Sequence, residues 1–325
     1  METQPTPACC ACGRRGLLAY TDLDDALFGT EGRWTLRRCP NRECGMLWLD
    51  PQPTPHDIGE AYARYYTHGG CNGEAGISPA RRVFRFGYRH VFTPFVAAYA
   101  GVLQERRRLE RLAVSGRRGR LLDVGCGDGS RLARLRREGW DVHGLDVDPV
   151  SARRARERYG LDVQLGPLET APYEQGSFDT IISSHVIEHV HEPLAVLRQA
   201  HRLLKAGGRL VAVTPNVASL GHARYIEHWL GLDPPRHLHL FSPASLEALA
   251  RAAGFTEVDV RTTPAWAQSM ARMSLHIADH RAQRRLTWRD RLARELEAVR
   301  FQREAARLHR RNPQSGEECV LQATK

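Results

Sequence analysis

Lysine is nearly absent from this sequence of 325 residues. Only Lys205 and Lys325 occur, so arginine supplies almost all of the positive charge, and the formal net charge is +10. An arginine excess this one-sided often follows from the base composition of a GC-rich genome, so we give it limited weight as a sign of binding. The positive field would still attract anionic partners, among which nucleic acid, anionic lipid and phosphorylated substrates all fit.

The sequence also lacks an uninterrupted apolar run of the roughly 18 residues that would indicate a membrane-spanning helix. The best candidate, residues 91–103, contains a proline and is flanked by Arg89 and Glu105. The first residues, METQPTPACC, lack the basic and then apolar pattern of a secretory signal peptide. We therefore expect no transmembrane segment and a cytoplasmic location.

Four of the eight cysteines form two spaced pairs near the N-terminus, Cys9 with Cys12 and Cys39 with Cys44. Each pair is followed directly by a glycine, which suits a tight turn around the sulfurs. Because a reducing cytosol disfavours disulfides, clustered thiolates more often bind metal, and four of them can close a tetrahedral structural zinc site. The sequence therefore predicts a cysteine-rich, zinc-ribbon-like module over residues 1–50, with these four cysteines as ligands to Zn²⁺; unmetallated thiols are the alternative.

Residues 51–114 are predicted to form a helical linker or cap. The segment starts with several prolines, and residues 80–112 then combine aromatic side chains with arginines in an amphipathic pattern. A basic, aromatic helix can lie on an anionic membrane surface, so peripheral membrane contact is one interpretation. A helix that packs on the main domain is the alternative that periodicity favours.

A glycine-rich turn follows a short apolar strand in the segment RLLDVGCGDGSR, residues 120–131. Glycine is needed where a ligand approaches the backbone or where φ is positive. The dinucleotide fingerprint G-x-G-x-x-G would place its third glycine at position 130, which is Ser130, so NAD is disfavoured. A second strand ends at Asp146, whose carboxylate can accept hydrogen bonds from both hydroxyls of a ribose. Loop, helix, strand and acid in this order predict a nucleoside-containing cofactor.

Four segments resemble the successive motifs of class I S-adenosylmethionine-dependent methyltransferases. They are DVGCGDG from residue 123, GLDVDP from 144, FDTIISSHVIEHV from 178 and LKAGGRLVAVTPN from 204. The resemblance implies an α/β, Rossmann-like sheet of seven strands in the order 3-2-1-4-5-7-6, with the last strand antiparallel and formed by GEECVLQATK. It also implies a methyltransferase domain over residues 115–325, with a helical insertion at 265–315. The whole chain resembles bacterial methyltransferases that carry an N-terminal cysteine-rich module.

The same resemblance assigns the residues that bind S-adenosyl-L-methionine. The glycine-rich segment would surround the methionine part, the acid at the end of the second strand would hold the ribose, and the next residue would flank the adenine. Pro167 stands where many relatives carry an aspartate, so its neighbours would have to supply the adenine contact. The implied cofactor-binding residues are Asp123, Gly125, Gly127, Gly129, Asp146, Val147, Leu168 and Glu169.

The segment HVIEH, residues 185–189, begins where the fourth strand ends, at the sheet edge where open α/β sheets bind ligands. Its spacing matches a zinc-protease helix, but that interpretation requires a different setting. The segment also resembles the E-x-x-E-H motif of ubiquinone-pathway O-methyltransferases and small-RNA 2′-O-methyltransferases, which binds a divalent ion. Here His185 replaces the first glutamate, which favours a softer ion over magnesium.

A histidine base is the second interpretation of this segment. A hydroxyl acceptor must lose its proton during methyl transfer, and histidine suits that task near neutral pH. His185 or His189 is the candidate base, with Glu188 orienting a histidine or the cofactor amine. A packing role for Glu188 and His189 alone also stays open.

A further histidine-rich loop, residues 222–246, covers the acceptor pocket in related enzymes. His237 is the candidate for acceptor contact, with Arg236 for an anionic acceptor, although a histidine there could equally bond to backbone. The candidate catalytic residues are His185, Glu188, His189 and His237.

Taken together, these features predict a methyltransferase that O-methylates a small-molecule, glycan or lipid-linked acceptor by in-line transfer. The alternative is an RNA methyltransferase that uses the zinc module and basic helices to bind RNA. Against RNA, the sequence has no proline–proline–aromatic tetrapeptide and no recognised RNA-binding fold. A zinc-ribbon interaction protein with a relic cofactor fold is a third hypothesis, which the intact glycine loop and Asp146 disfavour.

Overall fold

The computed structural model describes residues 1–62 and 118–325. The N-terminal strands are β1 (Thr3–Gln4), β2 (Leu17–Leu23), β3 (Trp34–Arg38), β4 (Leu47–Leu49) and β5 (Gln52–Pro53). The later strands are β6 (Arg120–Val124), β7 (Asp141–Asp146), β8 (Val163–Leu165), β9 (Phe178–Ser184), β10 (Leu204–Pro215), β11 (His239–Leu240), β12 (Glu257–Thr263) and β13 (Glu318–Thr324). The helices are α1 (Ser130–Arg137), α2 (Pro149–Tyr159), α3 (Pro193–Leu203), α4 (Leu220–Tyr225), α5 (Pro243–Ala252), α6 (Ala267–Arg281) and α7 (Trp288–Arg311).

The predicted linker or cap at 51–114 is described only as far as residue 62. That part contains β5 and a short 3-10 helix at Ile58–Tyr62. The remainder, including the amphipathic segment 80–112, lies outside the described residues.

Seven strands form the central sheet in the order β12-β13-β10-β9-β6-β7-β8. Strand β13 runs antiparallel to both of its neighbours, and the other adjacent pairs are parallel. Residues at the sheet centre, such as Ile181 and Ile182, are almost completely buried, because parallel strands are covered by helices on both faces. This is the predicted order 3-2-1-4-5-7-6, so the α/β Rossmann-like methyltransferase sheet is confirmed.

A second sheet joins the cysteine module to the rest of the chain. Its order is β11-β4-β3-β2, and β11 comes from the loop that follows β10. In this pairing His239 lies opposite Trp48 and Leu240 lies opposite Leu47. Met46 and Trp48 of the module belong to the same apolar cluster as Phe241 of the loop, and Leu47 and Leu49 belong to the same cluster as Leu240. Residues 1–50 therefore share both a sheet and a core with the methyltransferase fold.

Helices α6 and α7 lie in the segment 265–315, between β12 and β13. The N-terminus of α7 is capped by Thr287, whose hydroxyl accepts a hydrogen bond from the backbone N–H of Asp290 at 3.2 Å. Phe301 of α7 packs against Tyr225 of α4, with ring centroids 5.4 Å apart. The two helices thus cover the loop that follows β10. Within the described residues, no helix is long and apolar enough to cross a membrane.

Candidate active site

The glycine-rich turn connects β6 to α1 at the carboxyl edge of the sheet. Gly125, Gly127 and Gly129 all have positive φ, at 71°, 58° and 77°. A side chain at Gly129 would collide with Ala155, whereas a side chain at Gly127 would meet no atom within 4 Å. Gly127 therefore faces open space and has a backbone conformation that favours glycine. Both features suit a position where a ligand contacts the backbone.

Asp146 ties this turn to the end of β7. Its Oδ2 accepts a hydrogen bond from the Gly127 N–H at 2.8 Å, and its Oδ1 accepts one from the Asp148 N–H at 2.9 Å. Burial raises the pKa of the Asp146 carboxyl, although these backbone hydrogen bonds oppose that effect. The next residue, Val147, is 70% exposed at the same edge. A carboxylate beside an uncovered apolar side chain fits a nucleoside, with the ribose on one and the adenine on the other.

The other predicted cofactor residues differ in what they can offer. Asp123 is completely buried, and its two oxygens accept hydrogen bonds from Nε and Nη2 of Arg131 at 2.8 and 2.5 Å. The Asp123 carboxylate can therefore influence a bound ligand only indirectly, by supporting the backbone of the turn. The side chain of Leu168 is buried in the core, which leaves its backbone for an adenine contact, and Glu169 is exposed.

His185 comes directly after β9 and has a positive φ of 55°. Its Nδ1 lies 3.1 Å from Oε1 of Glu188, and its Nε2 lies 3.1 Å from Oε1 of Glu318. Because carboxylates only accept, both ring nitrogens donate, which requires the charged imidazolium. Burial opposes that charge, but the two carboxylates raise the pKa of His185 to about 10. The side chain is 44% exposed, so water screens part of this effect.

Glu318 is a site residue that the sequence analysis missed. It is the first residue of β13, and an antiparallel strand begins at the edge where its parallel neighbours end. The predicted antiparallel last strand was the signal that could have placed Glu318 beside His185. On the other side, Glu188 is fully buried, and its Oε2 accepts a hydrogen bond from Oγ1 of Thr214 at 3.0 Å. Burial would raise the pKa of Glu188, but His185 lowers it to about 2.

His189 and His237 form a second pair of side chains at this edge. Their rings meet edge to face, with centroids 4.7 Å apart. Nδ1 of His189 donates to the Arg236 carbonyl at 3.0 Å and lies 2.9 Å from the Tyr62 hydroxyl. Nδ1 of His237 donates to the Gly231 carbonyl at 2.7 Å. A carbonyl can only accept, so the Nδ1 of each ring carries a proton, and Nε2 is the nitrogen left to bind a proton or a ligand.

The environment keeps His189 uncharged. Burial, followed by the neighbouring His237, lowers the pKa of His189 to about 4. One ligand atom from each of Glu188, His189 and His237 lies within 4.8 Å of the others. Metal-bound histidines commonly donate their second N–H to a carbonyl or carboxylate, and both of these histidines do so. The cluster has the donor set and orientation to hold a divalent cation, and a free imidazole lone pair can equally accept a proton.

Arg236 does not fit its predicted contact with an anionic acceptor. The residue is completely buried, and its guanidinium donates to both oxygens of Asp25 at 2.7 and 2.9 Å and to both oxygens of Asp233 at 2.5 and 3.0 Å. Its Nη1 also donates to the Ala61 carbonyl at 3.2 Å. These contacts link the cysteine module to the loop after β10, so Arg236 holds the fold together.

The four predicted zinc ligands come together. The sulfurs of Cys9 and Cys44 are 3.6 Å apart, those of Cys12 and Cys39 are 3.3 Å apart, and all four lie within 4.8 Å of one another. Zn–S bonds of about 2.3 Å in a tetrahedron separate the sulfurs by roughly 3.8 Å. The cluster therefore has the size and donor chemistry that a structural zinc ion requires.

A comparison with known families matches residues 97–260, half of the chain, to a methyltransferase domain. The chain belongs to this methyltransferase family. It is an S-adenosylmethionine-dependent methyltransferase, which confirms the predicted enzyme class and cofactor.

Curated relatives of this methyltransferase include ubiquinone biosynthesis O-methyltransferases. The chain is 34% identical over 163 residues to one from Xanthomonas euvesicatoria pv. vesicatoria, covering 46% of this chain and 67% of the relative. It is 33% identical over 174 residues to one from Cereibacter sphaeroides, covering 49% and 70%.

Solved structures support the fold. Phosphoethanolamine N-methyltransferase 2 from Haemonchus contortus superposes with a TM-score of 0.50 at 14% identity. The match covers 92% of this methyltransferase and 70% of that chain. At this identity the likeness concerns the fold alone.

Proposed function

We propose that this methyltransferase O-methylates a hydroxyl group of a small-molecule acceptor, a class that includes glycan and lipid-linked molecules. The observation that carries the proposal is the cluster of Glu188, His189 and His237 at the carboxyl edge of the sheet. Relatives at 34% and 33% identity are named as O-methyltransferases of ubiquinone biosynthesis, which agrees with a hydroxyl acceptor. The RNA alternative gains no support from these relatives.

The proposed cofactor site uses the glycine turn and the end of β7. Gly127 would receive the methionine part of the cofactor in the space next to its Cα, and Asp146 would accept hydrogen bonds from the ribose. Val147 would cover one face of the adenine. Methyl transfer is an in-line displacement with a good leaving group, so the protein mainly aligns the two substrates.

His189 and His237 are the proposed groups for activating the acceptor. A neutral imidazole with a free Nε2 lone pair can take the hydroxyl proton at neutral pH. His185, held as an imidazolium between two carboxylates, is unsuited to that task and instead fixes the orientation of Glu188. Of the candidates from the sequence, His189 and His237 are therefore favoured as bases, and His185 and Glu188 as positioning residues.

The same cluster could hold a divalent ion through Glu188, His189 and His237. Two nitrogens and one carboxylate are ligands that suit zinc, iron or other transition metals better than magnesium. Such an ion would supply Lewis acidity that lowers the pKa of the acceptor hydroxyl. Activity that survives dialysis against a chelator would favour a histidine base, and activity restored by a divalent metal would favour the ion.

We also propose a structural zinc ion bound by Cys9, Cys12, Cys39 and Cys44. Closed sites of four thiolates hold small folds together and leave no position open for substrate.

Label transfer tests the proposed reaction. Cell-extract fractions are incubated with the enzyme and cofactor carrying a ¹³C-labelled methyl group, and products are analysed by NMR. A methoxy signal in a small molecule is expected with wild-type enzyme and with His276→Ala, which changes an exposed histidine of α6. His189→Ala should lose most of the signal. Label that enters only RNA or protein, or that appears as N-methyl, would refute the proposal.

A further inference from the structure

A cleft of about 610 Å³ lies between the cysteine module and the loop that follows β10. Its walls include Leu17, Arg38, Arg42 and Leu47 from the module, together with Val217 and His222 from the loop. None of these six residues belongs to the cofactor site or to the histidine cluster. The volume falls in the range of roughly 300–1,000 Å³ that small-molecule sites occupy.

Arg38 stands in a row of leucines that crosses the second sheet. The strand register places Leu17 opposite Arg38, Arg38 opposite Leu47, and Leu47 opposite Leu240. Directly paired residues on neighbouring strands point to the same face, so Arg38 shares its face of the sheet with these leucines. Leu17 is 63% exposed, whereas Leu47 and Leu240 are buried. The cleft therefore combines the exposed apolar side chain of Leu17 with the positive charge of Arg38.

The two cleft arginines are not needed for ion pairs within the fold. Arg37, on the opposite face of β3, is bound to Asp50, and Arg236 is bound to two aspartates. Across residues 1–62 and 118–325, by contrast, neither Arg38 nor Arg42 pairs with a carboxylate. Two exposed guanidinium groups without a carboxylate partner therefore line one cleft.

His222, on the loop side of the cleft, is held in place by hydrogen bonds, and burial lowers its pKa. Nδ1 of His222 donates to the Val217 carbonyl at 2.6 Å, so its Nε2 accepts from the Tyr20 hydroxyl at 2.8 Å. The His222 ring also stacks on Trp229, with centroids 4.7 Å apart. This side of the cleft therefore contributes no negative charge that would neutralise the arginines.

We propose that this cleft binds a phosphate or diphosphate ester, with Arg38 and Arg42 on the phosphate oxygens and Leu17 and Leu47 against the organic part. The planar guanidinium matches phosphate geometry and forms charge-assisted hydrogen bonds with it. Val217 follows the end of β10 by two residues, so the cleft adjoins the sheet edge of the proposed active site. The ester is then a part of the methyl acceptor, an inference that rests on the proposed function.

Titration calorimetry with inorganic pyrophosphate tests the site on the full zinc-loaded chain. Saturable binding is expected, and Arg38→Gln combined with Arg42→Gln should weaken it by about 100-fold, since two charge-assisted bonds are lost. The matched control is Arg14→Gln with Arg15→Gln, two exposed arginines of the same module that do not line the cleft. Absent binding, or equal weakening in both pairs, would overturn the inference.

Two further measurements distinguish a failure of the proposed phosphate site from a failure of the proposed function. Binding of S-adenosylhomocysteine in the same samples reports an intact cofactor site and should be unchanged in both variants. Absent pyrophosphate binding with retained label transfer would overturn this inference alone. Retained pyrophosphate binding with no label transfer to any hydroxyl would overturn the proposed function alone. Partial recovery by Arg38→Lys with Arg42→Lys is expected, because charge remains but the paired geometry is lost.

The phosphate can come from a soluble or a lipid-linked ester. Titration with uridine diphosphate represents the first source, and cosedimentation with phosphatidylcholine vesicles that contain a polyprenyl phosphate represents the second. Binding to either probe that the cleft variant abolishes supports the site and names the source. Binding to neither would overturn the assignment of the cleft to an ester.

Discussion

Arg236→Met is expected to destabilise the enzyme more than any change to a surface ion pair. The guanidinium lies completely buried between Asp25 of the cysteine module and Asp233 of the loop after β10. It also stands 4.4 Å from the ring centre of Phe28. Methionine keeps much of the volume and removes the charge, so both carboxylates lose their main partner in the core.

The expected loss is about 3–5 kcal/mol in the free energy of unfolding, because breaking a buried ion pair from one side leaves uncompensated buried charge. The control is Arg251→Met, since Arg251 pairs with Glu247 on an exposed face of α5. Exposed pairs of this kind contribute about 0–1 kcal/mol. The two variants thus remove the same group from opposite environments.

Urea denaturation followed by tryptophan fluorescence measures both variants. A separate early transition in Arg236→Met would mean that the module detaches before the central sheet unfolds. A loss below about 1 kcal/mol, equal to that of the control, would refute the view that Arg236 holds module and loop together.

The pH dependence gives a second measure of the same network. Burial alone would raise the pKa of Asp25, but hydrogen bonds from Arg236 hold it at about 2, below its ordinary value of 3.8. A carboxyl whose pKa is lowered by folding stabilises the protein above its unfolded value and loses that contribution as the pH falls. The stability that Asp25 contributes in the wild type should therefore be complete at neutral pH and be lost between about pH 4 and pH 2, so the difference between wild type and Arg236→Met should be smaller at pH 2 than at pH 7. A difference that stays constant over this window would contradict the argument.

Three further predictions concern the proposed ligand sites. Asp146→Asn should weaken S-adenosylhomocysteine binding by about 10- to 100-fold in calorimetry, because an amide has only one accepting oxygen and cannot accept hydrogen bonds from both the ribose and the Gly127 N–H. Asp141→Asn, at the exposed start of the same strand, should leave binding unchanged. Metal analysis should find about one zinc per chain, which Cys9→Ser lowers and Cys10→Ser leaves unchanged; full zinc in Cys9→Ser would refute the ligand set. His185→Glu brings a third carboxylate to Glu188 and Glu318, so methyl transfer should become dependent on an added divalent ion; activity that is lost and not restored by magnesium would exclude a magnesium site.

The central sheet was predictable because its strands are short apolar segments that each end in a recognisable turn. Residues 178–184 were predicted as the fourth strand, and β9 has these bounds. Ser242 directly precedes Pro243, a pair typical of a helix N-terminus, and its hydroxyl accepts a hydrogen bond from the Ser245 N–H. In both cases the signal is local, since burial on two faces selects apolar residues and a helix N-terminus selects a hydroxyl.

The role of Arg236 could not be predicted in this way. Its position in a loop at the active edge suggested contact with an anionic acceptor, yet its partner Asp25 lies 211 residues earlier in the sequence. No periodicity or spacing connects two single residues at that separation. Buried ion pairs between distant segments therefore look, in a sequence, like free charges near an active site.

The pairing of β11 with β4 explains why one half of the proposed active site could be predicted from the sequence and the other half could not. The turn at Gly127 and the end of β7 at Asp146 are close in sequence, so a motif describes the methyl-donor half. The acceptor half depends on a loop whose two-residue strand is completed by the cysteine module. Two residues are too short to signal a strand, and their conformation is set by Trp48 and Leu47 of a distant segment. The cysteine module therefore shapes the loop at which the acceptor is proposed to bind, and acceptor specificity must be sought in both segments together.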